Sequence, residues 1–205
     1  MKSPTTHSQS LAAFRKVLVL FALAAAAFQT PVTAETNDKP IKNMSEANPN
    51  IHWPEDVSPA KADAFVHNEI YIKAPAKVIW ENLVQAGEWP SWYSNSADVK
   101  IEGSETGRLQ AGSGFTWKTF GFPIDSQVHE FVPDIRLGWY GGGTGIRAYH
   151  TWLIVPKGNG CEVITEESQV GPSAVKFNAE QPTAMFDGHH WWLAALKVRC
   201  ERIAH

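Results

Sequence analysis

Two histidines and a glutamate in the last third of the chain are the residues best placed to do chemistry. Tyr149-His150-Thr151-Trp152-Leu153-Ile154 and Cys161-Glu162-Val163-Ile164-Thr165-Glu166-Glu167 flank Pro156-Lys157-Gly158-Asn159-Gly160 and read as a hairpin. If it turns on Gly158-Asn159, His150 stands opposite Glu167, Trp152 opposite Thr165, Ile154 opposite Val163 and Pro156 opposite Cys161. Opposed Cβ atoms lie about 4.5–5.5 Å apart, so imidazole and carboxylate can touch. Glu162 and Glu166 fall on the other face, which turns the Glu167 face inward. Such a contact can be a hydrogen-bonded buried pair, an anchor for a ligand's polar head, or a catalytic acid/base dyad of His150 and Glu167.

The second histidine lies on a helix expected from about Ala179 to Arg202. At 100° per residue, Met185, Phe186, His189, Trp192, Leu193, Leu196, Cys200 and Ile203 share one stripe, so His189 rather than His190 faces the sheet. Strand and helix run antiparallel. Measured from Cys161 and Cys200, Glu167 rises about 20 Å along the strand and His189 about 16–17 Å along the helix. The three polar groups therefore share a depth. Two histidines and a carboxylate are valid zinc or non-haem iron ligands, but no motif fixes their spacing, so no metal and no cofactor is assigned. The nine tryptophans exceed what one small core needs. Core packing accounts for Trp80 and is the alternative for Trp139, while flat side chains such as Trp117, Trp152 and Trp192 suit the walls of a pocket. The expected lining is Trp117, Val128, Trp139, His150, Trp152, Thr165, Glu167, Phe186, His189 and Trp192.

Several elements must hold these residues in place. The 205 residues, 43% of them hydrophobic, suffice for one domain with a real core. Residues 1–34 read as a signal peptide: Lys2, Arg15 and Lys16, then the apolar run from Val17 to Phe28, then Val32-Thr33-Ala34. The run falls short of the ~20 residues that span a bilayer, so cleavage near Ala34 and export to the periplasm or medium are expected, without a membrane anchor. Cleavage removes three basic groups and moves the net charge from -3 to -6, a poor match for nucleic acid. Residues 35–62 read as an extended arm or linker, with Pro40, Pro49, Pro54 and Pro59 and no apolar period; Trp53 is the residue expected to dock.

The folded module, 63–205, opens with an alternating strand from Phe65 to Ile72 and a helix from Ala74-Pro75-Ala76 to Gly87. Glu88 to Tyr93 is long enough for one helical turn. Strands follow at about Asp98–Glu102, Phe115–Phe120, Ile124–Phe131, Arg136–Tyr140, Ile146–Val155 and Cys161–Gln169. Gly141-Gly142-Gly143-Thr144-Gly145 lacks the lysine and helix of a phosphate loop and reads as a hairpin turn at the cavity mouth. Strand, helix, short helix, six strands and a long helix make an α+β layer: one curved antiparallel sheet with helices on one face.

Ile70-Tyr71-Ile72-Lys73-Ala74-Pro75-Ala76-Lys77-Val78-Ile79-Trp80 resembles the opening of the START-like helix-grip superfamily, also called SRPBCC or polyketide cyclase/dehydrase. Phe131 to Trp139 is similar to its mid-sheet turn, and Leu196-Lys197 with Glu201 to the end of its last helix. The resemblance covers about Ala64 to Ile203. It implies a helix-grip fold of about seven strands wrapped on a long C-terminal helix, with a ligand cavity between them. Its members include lipid carriers, hormone binders, cyclases and oxygenase subunits, which share a cavity and no common catalytic residue; Rieske-type Cys/His spacing is absent. Two functions remain open. One is an exported carrier of a small hydrophobic or aromatic molecule. The other is a cyclase, dehydratase or isomerase using His150 and Glu167. Cys161 and Cys200 fall at the same end of the module on inward faces, and an oxidising compartment would pair them as a disulfide; two reduced, buried thiols are the alternative.

Overall fold

The chain's alternating segments pair in the order that their turns allow. The fold is that of a computed structural model, which describes residues 47–204; the expected signal peptide and the first part of the arm lie outside the described residues. The elements are β1 (Ala64–Ile72), α1 (Ala76–Val84), α2 (Trp89–Trp92), β2 (Ser96–Ile101), β3 (Gly114–Thr119), β4 (Phe122–Val132), β5 (Arg136–Gly143), β6 (Ile146–Lys157), β7 (Gly160–Val170), α3 (Pro172–Glu180) and α4 (Ala184–Ile203). They form one antiparallel sheet ordered β1-β7-β6-β5-β4-β3-β2. Six strands follow one another as a meander, and β1 closes onto the last of them. No helix among the described residues is long and apolar enough to cross a membrane.

The β6–β7 hairpin turns where Gly158 takes a left-handed φ of 61°, and Lys157 pairs with Gly160. That register puts His150 opposite Glu167 and Trp152 opposite Thr165, as the residue pattern requires. The expected helix from about Ala179 begins later, at Ala184, and an unexpected separate helix, α3, precedes it. Pro172 starts α3 at a position where its missing N–H costs nothing, and the residue before Pro182 is driven out of helical geometry, so Gln181 adopts φ -137° and ψ 69°. α4 starts only at Ala184.

Two apolar layers form on the two faces of the sheet. On the helix face Trp80, Leu83, Trp89, Trp152, Ile154, Val163, Leu193 and Leu196 make the main core. On the other face Ile51 packs with Leu153 and Ile164, beside Trp53 and Val155. The second layer exists because the arm lies across the sheet. Trp53 meets Phe65 and Tyr149 edge-on, with ring centroids 6.0 and 5.8 Å apart. Asp56 pairs with Arg147 at 2.6 Å, and the Asn48 backbone N–H donates to Glu166 at 2.7 Å. Glu166 is thereby fully buried, with His67 Nδ1 2.6 Å from the same oxygen. The described part of the arm, from residue 47 to 62, is thus packed against the domain over much more than Trp53.

The expected disulfide is not formed. Cys161 and Cys200 are both buried and free. The Cys200 thiol turns toward α1 instead, 3.7 Å from the Asn82 amide and 3.9 Å from the Val78 carbonyl. Burial raises the pKa of both thiols, that of Cys200 to about 12. Since the thiolate is the reactive form, the native protein at about pH 8 should resist alkylation at both positions and accept two labels once unfolded, as read by mass spectrometry. A non-reduced protein that takes no label after unfolding contradicts the structure.

Candidate functional site

Small residues on neighbouring strands hollow out the helix face. Gly141 pairs with Ala148 and Gly143 with Ile146, so the ends of β5 and β6 carry little side-chain bulk toward α3 and α4. The space left is a cavity of about 390 Å³, within the usual range for small-molecule sites. Its walls are largely aromatic. Trp117, Trp139 and Trp192 line it together with Tyr93, and Phe120, Phe122 and Phe177 stand around the β3–β4 turn and α3. Tyr93 stacks on Trp192 at 4.5 Å and 10°, and its hydroxyl donates to the Gly188 carbonyl at 3.1 Å. Phe120 occupies a left-handed φ of 51°, its N–H held by Asn95 at 2.7 Å. Its ring packs so closely on Gly188 that any side chain there would collide with it.

The polar groups cluster at one place. Glu167 Oε2 lies 3.3 Å from His150 Nδ1 and 3.3 Å from His189 Nε2. The two imidazoles stack at 4.5 Å and 14°, and Trp139 and Trp152 flank His150 at 4.7 and 5.5 Å. Behind the cluster the Thr165 hydroxyl donates to the Thr151 carbonyl at 3.1 Å, so it accepts from His150 Nε2 at 2.8 Å. This fixes the proton of neutral His150 on Nε2 and leaves a lone pair on Nδ1. Gln169 Nε2 donates to the other Glu167 oxygen at 2.7 Å. His189 Nδ1 and Trp192 Nε1 are buried without a protein partner.

The structure thus brings Trp117, Trp139, His150, Glu167, His189 and Trp192 to one cavity. It does not bring the others. Trp152 is fully buried behind His150, where it meets Trp192 edge-on in the core. Thr165 sits behind His150 as its hydrogen-bond partner, and Val128 belongs to the core. Phe186 is 39% exposed on the edge of the α4 stripe, and its carbonyl, not its ring, is engaged, by Asn68. Gly188 is buried in its place. The residues not foreseen are Tyr93 and the mouth aromatics Phe120, Phe122 and Phe177. Phe120-Gly121 is the turn between β3 and Phe122 of β4, and a turn signal says nothing about which helix the hairpin will lean on.

The polyketide cyclase/dehydrase and lipid transport family model matches residues 64–189. The chain belongs to this family. The hypothetical protein jhp0584 of Helicobacter pylori is similar in structure, with 30% identity over 75% of this chain and 98% of that one, and a TM-score of 0.69. The aromatase/cyclase Zhui from a Streptomyces species has 13% identity, covers 69% of this chain and 95% of that one, and gives a TM-score of 0.58. The di-domain aromatase/cyclase StfQ of the steffimycin pathway shares 13% identity over 68% of this chain and 52% of its own, at a TM-score of 0.57. At such identities the last two show the fold alone. No curated protein matches the sequence. Membership supports a hydrophobic-ligand or cyclase-like role, and the seven-stranded sheet with its C-terminal helix is the helix-grip fold.

For a family built on a shared cavity, the electrostatics of that cavity distinguish the member. Burial pushes the His150 imidazole down to about 3, with His189 adding to the effect and Glu167 opposing it. Burial alone would raise the Glu167 carboxyl, but the His189 hydrogen bond, both imidazoles and Gln169 outweigh it and hold it below its ordinary value. Burial also raises the Tyr93 hydroxyl, which stays protonated. The resting state is therefore an anionic Glu167 beside a neutral His150. Folded His150 refuses a proton that the unfolded chain accepts near pH 6.5, so its contribution to stability is complete above 6.5 and is lost as pH falls toward 3. Glu167 adds its own loss only below 4.5. In metal-free buffer, urea unfolding between these two values should show stability falling by up to ~1.4 kcal/mol per pH unit. His150→Gln should flatten that slope; an unchanged slope would show that His150 is protonated when folded.

Proposed function

We propose that the chain is an exported carrier that holds a small hydrophobic or aromatic molecule in this cavity, its polar end against His150, Glu167 and His189. The observation that carries the reading is the cavity itself: aromatic walls with the carboxylate and both imidazoles of its lining gathered at one place. Flat rings and aliphatic chains gain from Trp117, Trp139 and Trp192, while Trp192 Nε1 and His189 Nδ1 await partners that a ligand can supply. Family membership supports a hydrophobic ligand. The basic, then apolar, then small-residue N-terminus supports export to the periplasm or medium.

A second reading has its own support in the His150–Glu167 contact at 3.3 Å and in the aromatase/cyclases of like fold. In it, the pair moves a proton on a ketone-bearing substrate.

Ala148 lines the cavity opposite Gly141, so Ala148→Phe fills the space while leaving His150, Glu167 and His189 in the sequence. Wild type should bind a naphthalene sulfonate dye saturably with a change in tryptophan emission, and Ala148→Phe should weaken that at least about tenfold, roughly 1.4 kcal/mol. Equal binding by both proteins would remove the cavity from the mechanism. His150→Gln and Glu167→Gln keep shape while ending proton transfer. A carrier retains dye affinity within about tenfold in these variants, whereas an enzyme loses on the order of 10²–10⁴ in turnover.

A further inference from the structure

The polar cluster has a feature that a ligand anchor does not require. Glu167 Oε2 is 3.3 Å from one donor nitrogen on each histidine, and the three ligand atoms all lie within 4.8 Å of one another. Around a tetrahedral ion with bonds of about 2.0–2.1 Å, neighbouring donors stand about 3.3–3.4 Å apart. Two edges of that tetrahedron are already drawn. The Thr165 hydrogen bond that holds the His150 proton on Nε2 points the Nδ1 lone pair at a carboxylate oxygen. Two acceptors facing each other repel until a cation comes between them. Among the residues lining the cavity there is no lysine or arginine to supply one.

We infer that His150 Nδ1, Glu167 Oε2 and His189 Nε2 form a binding site for a divalent transition-metal ion of the zinc class. Two imidazoles and one carboxylate are a donor set that zinc accepts, with the fourth position open to the cavity. The supporting contacts are those of a metal site: a hydroxyl orients His150 through its far nitrogen, and the Gln169 amide holds the far oxygen of Glu167. The stacked rings leave one adjustment to make. Parallel rings 4.5 Å apart cannot both aim a lone pair at one ion, so one must turn. His150 is fixed by Thr165. His189 is the one that can turn: it is held only through Nε2 on Glu167, and its unpartnered Nδ1 can take the proton that Nε2 gives up on binding an ion. The site goes beyond the carrier reading and does not depend on it, since an ion can bind with the rest of the cavity empty.

The test uses the untagged chain, stripped with a chelator and titrated with Co(II). Wild type should saturate at one equivalent per chain and show the visible d–d bands of a four- or five-coordinate ion, with no near-ultraviolet thiolate band. Thr165→Val, which removes only the orienting hydroxyl, should weaken Co(II) binding roughly 10–100-fold. His189→Leu should abolish it. A wild-type spectrum that stays that of hydrated Co(II) overturns the site, and so does a thiolate band, which would move the ion to Cys161 or Cys200. His189→Leu that binds as tightly as wild type overturns it too. Dye titration of the same samples separates the two ideas: Co(II) binding without dye binding supports the site and removes the carrier, and dye binding without Co(II) does the reverse.

Discussion

The antiparallel register of β6 on β7 is the constraint on which the rest depends. Side chains alternate between faces, so slipping this ladder by one residue would turn His150 toward the arm and bring Thr151 to the helices. The turn at Gly158-Asn159 prevents that slip, because its left-handed glycine allows a two-residue link between Lys157 and Gly160. From this one register follow the contact of His150 with Glu167, the place of Thr165 behind it, and the direction in which α4 must present His189. The side of the sheet that faces the cavity is thus set by a turn at its far end.

A buried carboxylate is costly, and the fold meets the cost differently on the two faces. Glu166 and Glu167 are consecutive and point in opposite directions. Glu166 is sealed under the arm, with the Asn48 N–H and His67 at one of its oxygens. Glu167 keeps a partial opening to the cavity and is held by Gln169 and His189. The first is closed off from solvent, its Oε1 satisfied within the chain and its Oε2 buried without a hydrogen-bond partner. The second leaves lone pairs turned toward an accessible space, and that difference separates a site from a buried ion pair.

What was legible in the sequence follows the distance over which the physics acts. Alternation and turn chemistry are local, so the seven strands, the 150–167 and 152–165 pairings and the inward direction of His189 could all be read directly. Trp152 and Trp139 come out of the sequence in the wrong order: both face the helices, but Trp139 lines the cavity while Trp152 is covered behind His150. The break at Gln181 is visible in Pro182, through which the expected helix from Ala179 runs. The free thiols and the buried Glu166 depend on where distant segments dock. Cys200 turns to α1, and the arm crosses the sheet, for reasons that no short window contains.

One consequence lies in the order in which the chain can fold. The first strand has no partner nearby in sequence: Ala64 pairs with Gln169 and Ile72 with Cys161, so β1 must wait for the last strand to be made. Closing so long a loop early is entropically unfavourable, and sheets wired this way form slowly. The meander from β2 to β7 joins neighbours in sequence, so β1 alone is left unpaired until β7 is made. Until the two ends of the domain meet, the hydrogen-bonding edge of β7 is open, and β1 is the strand that covers it.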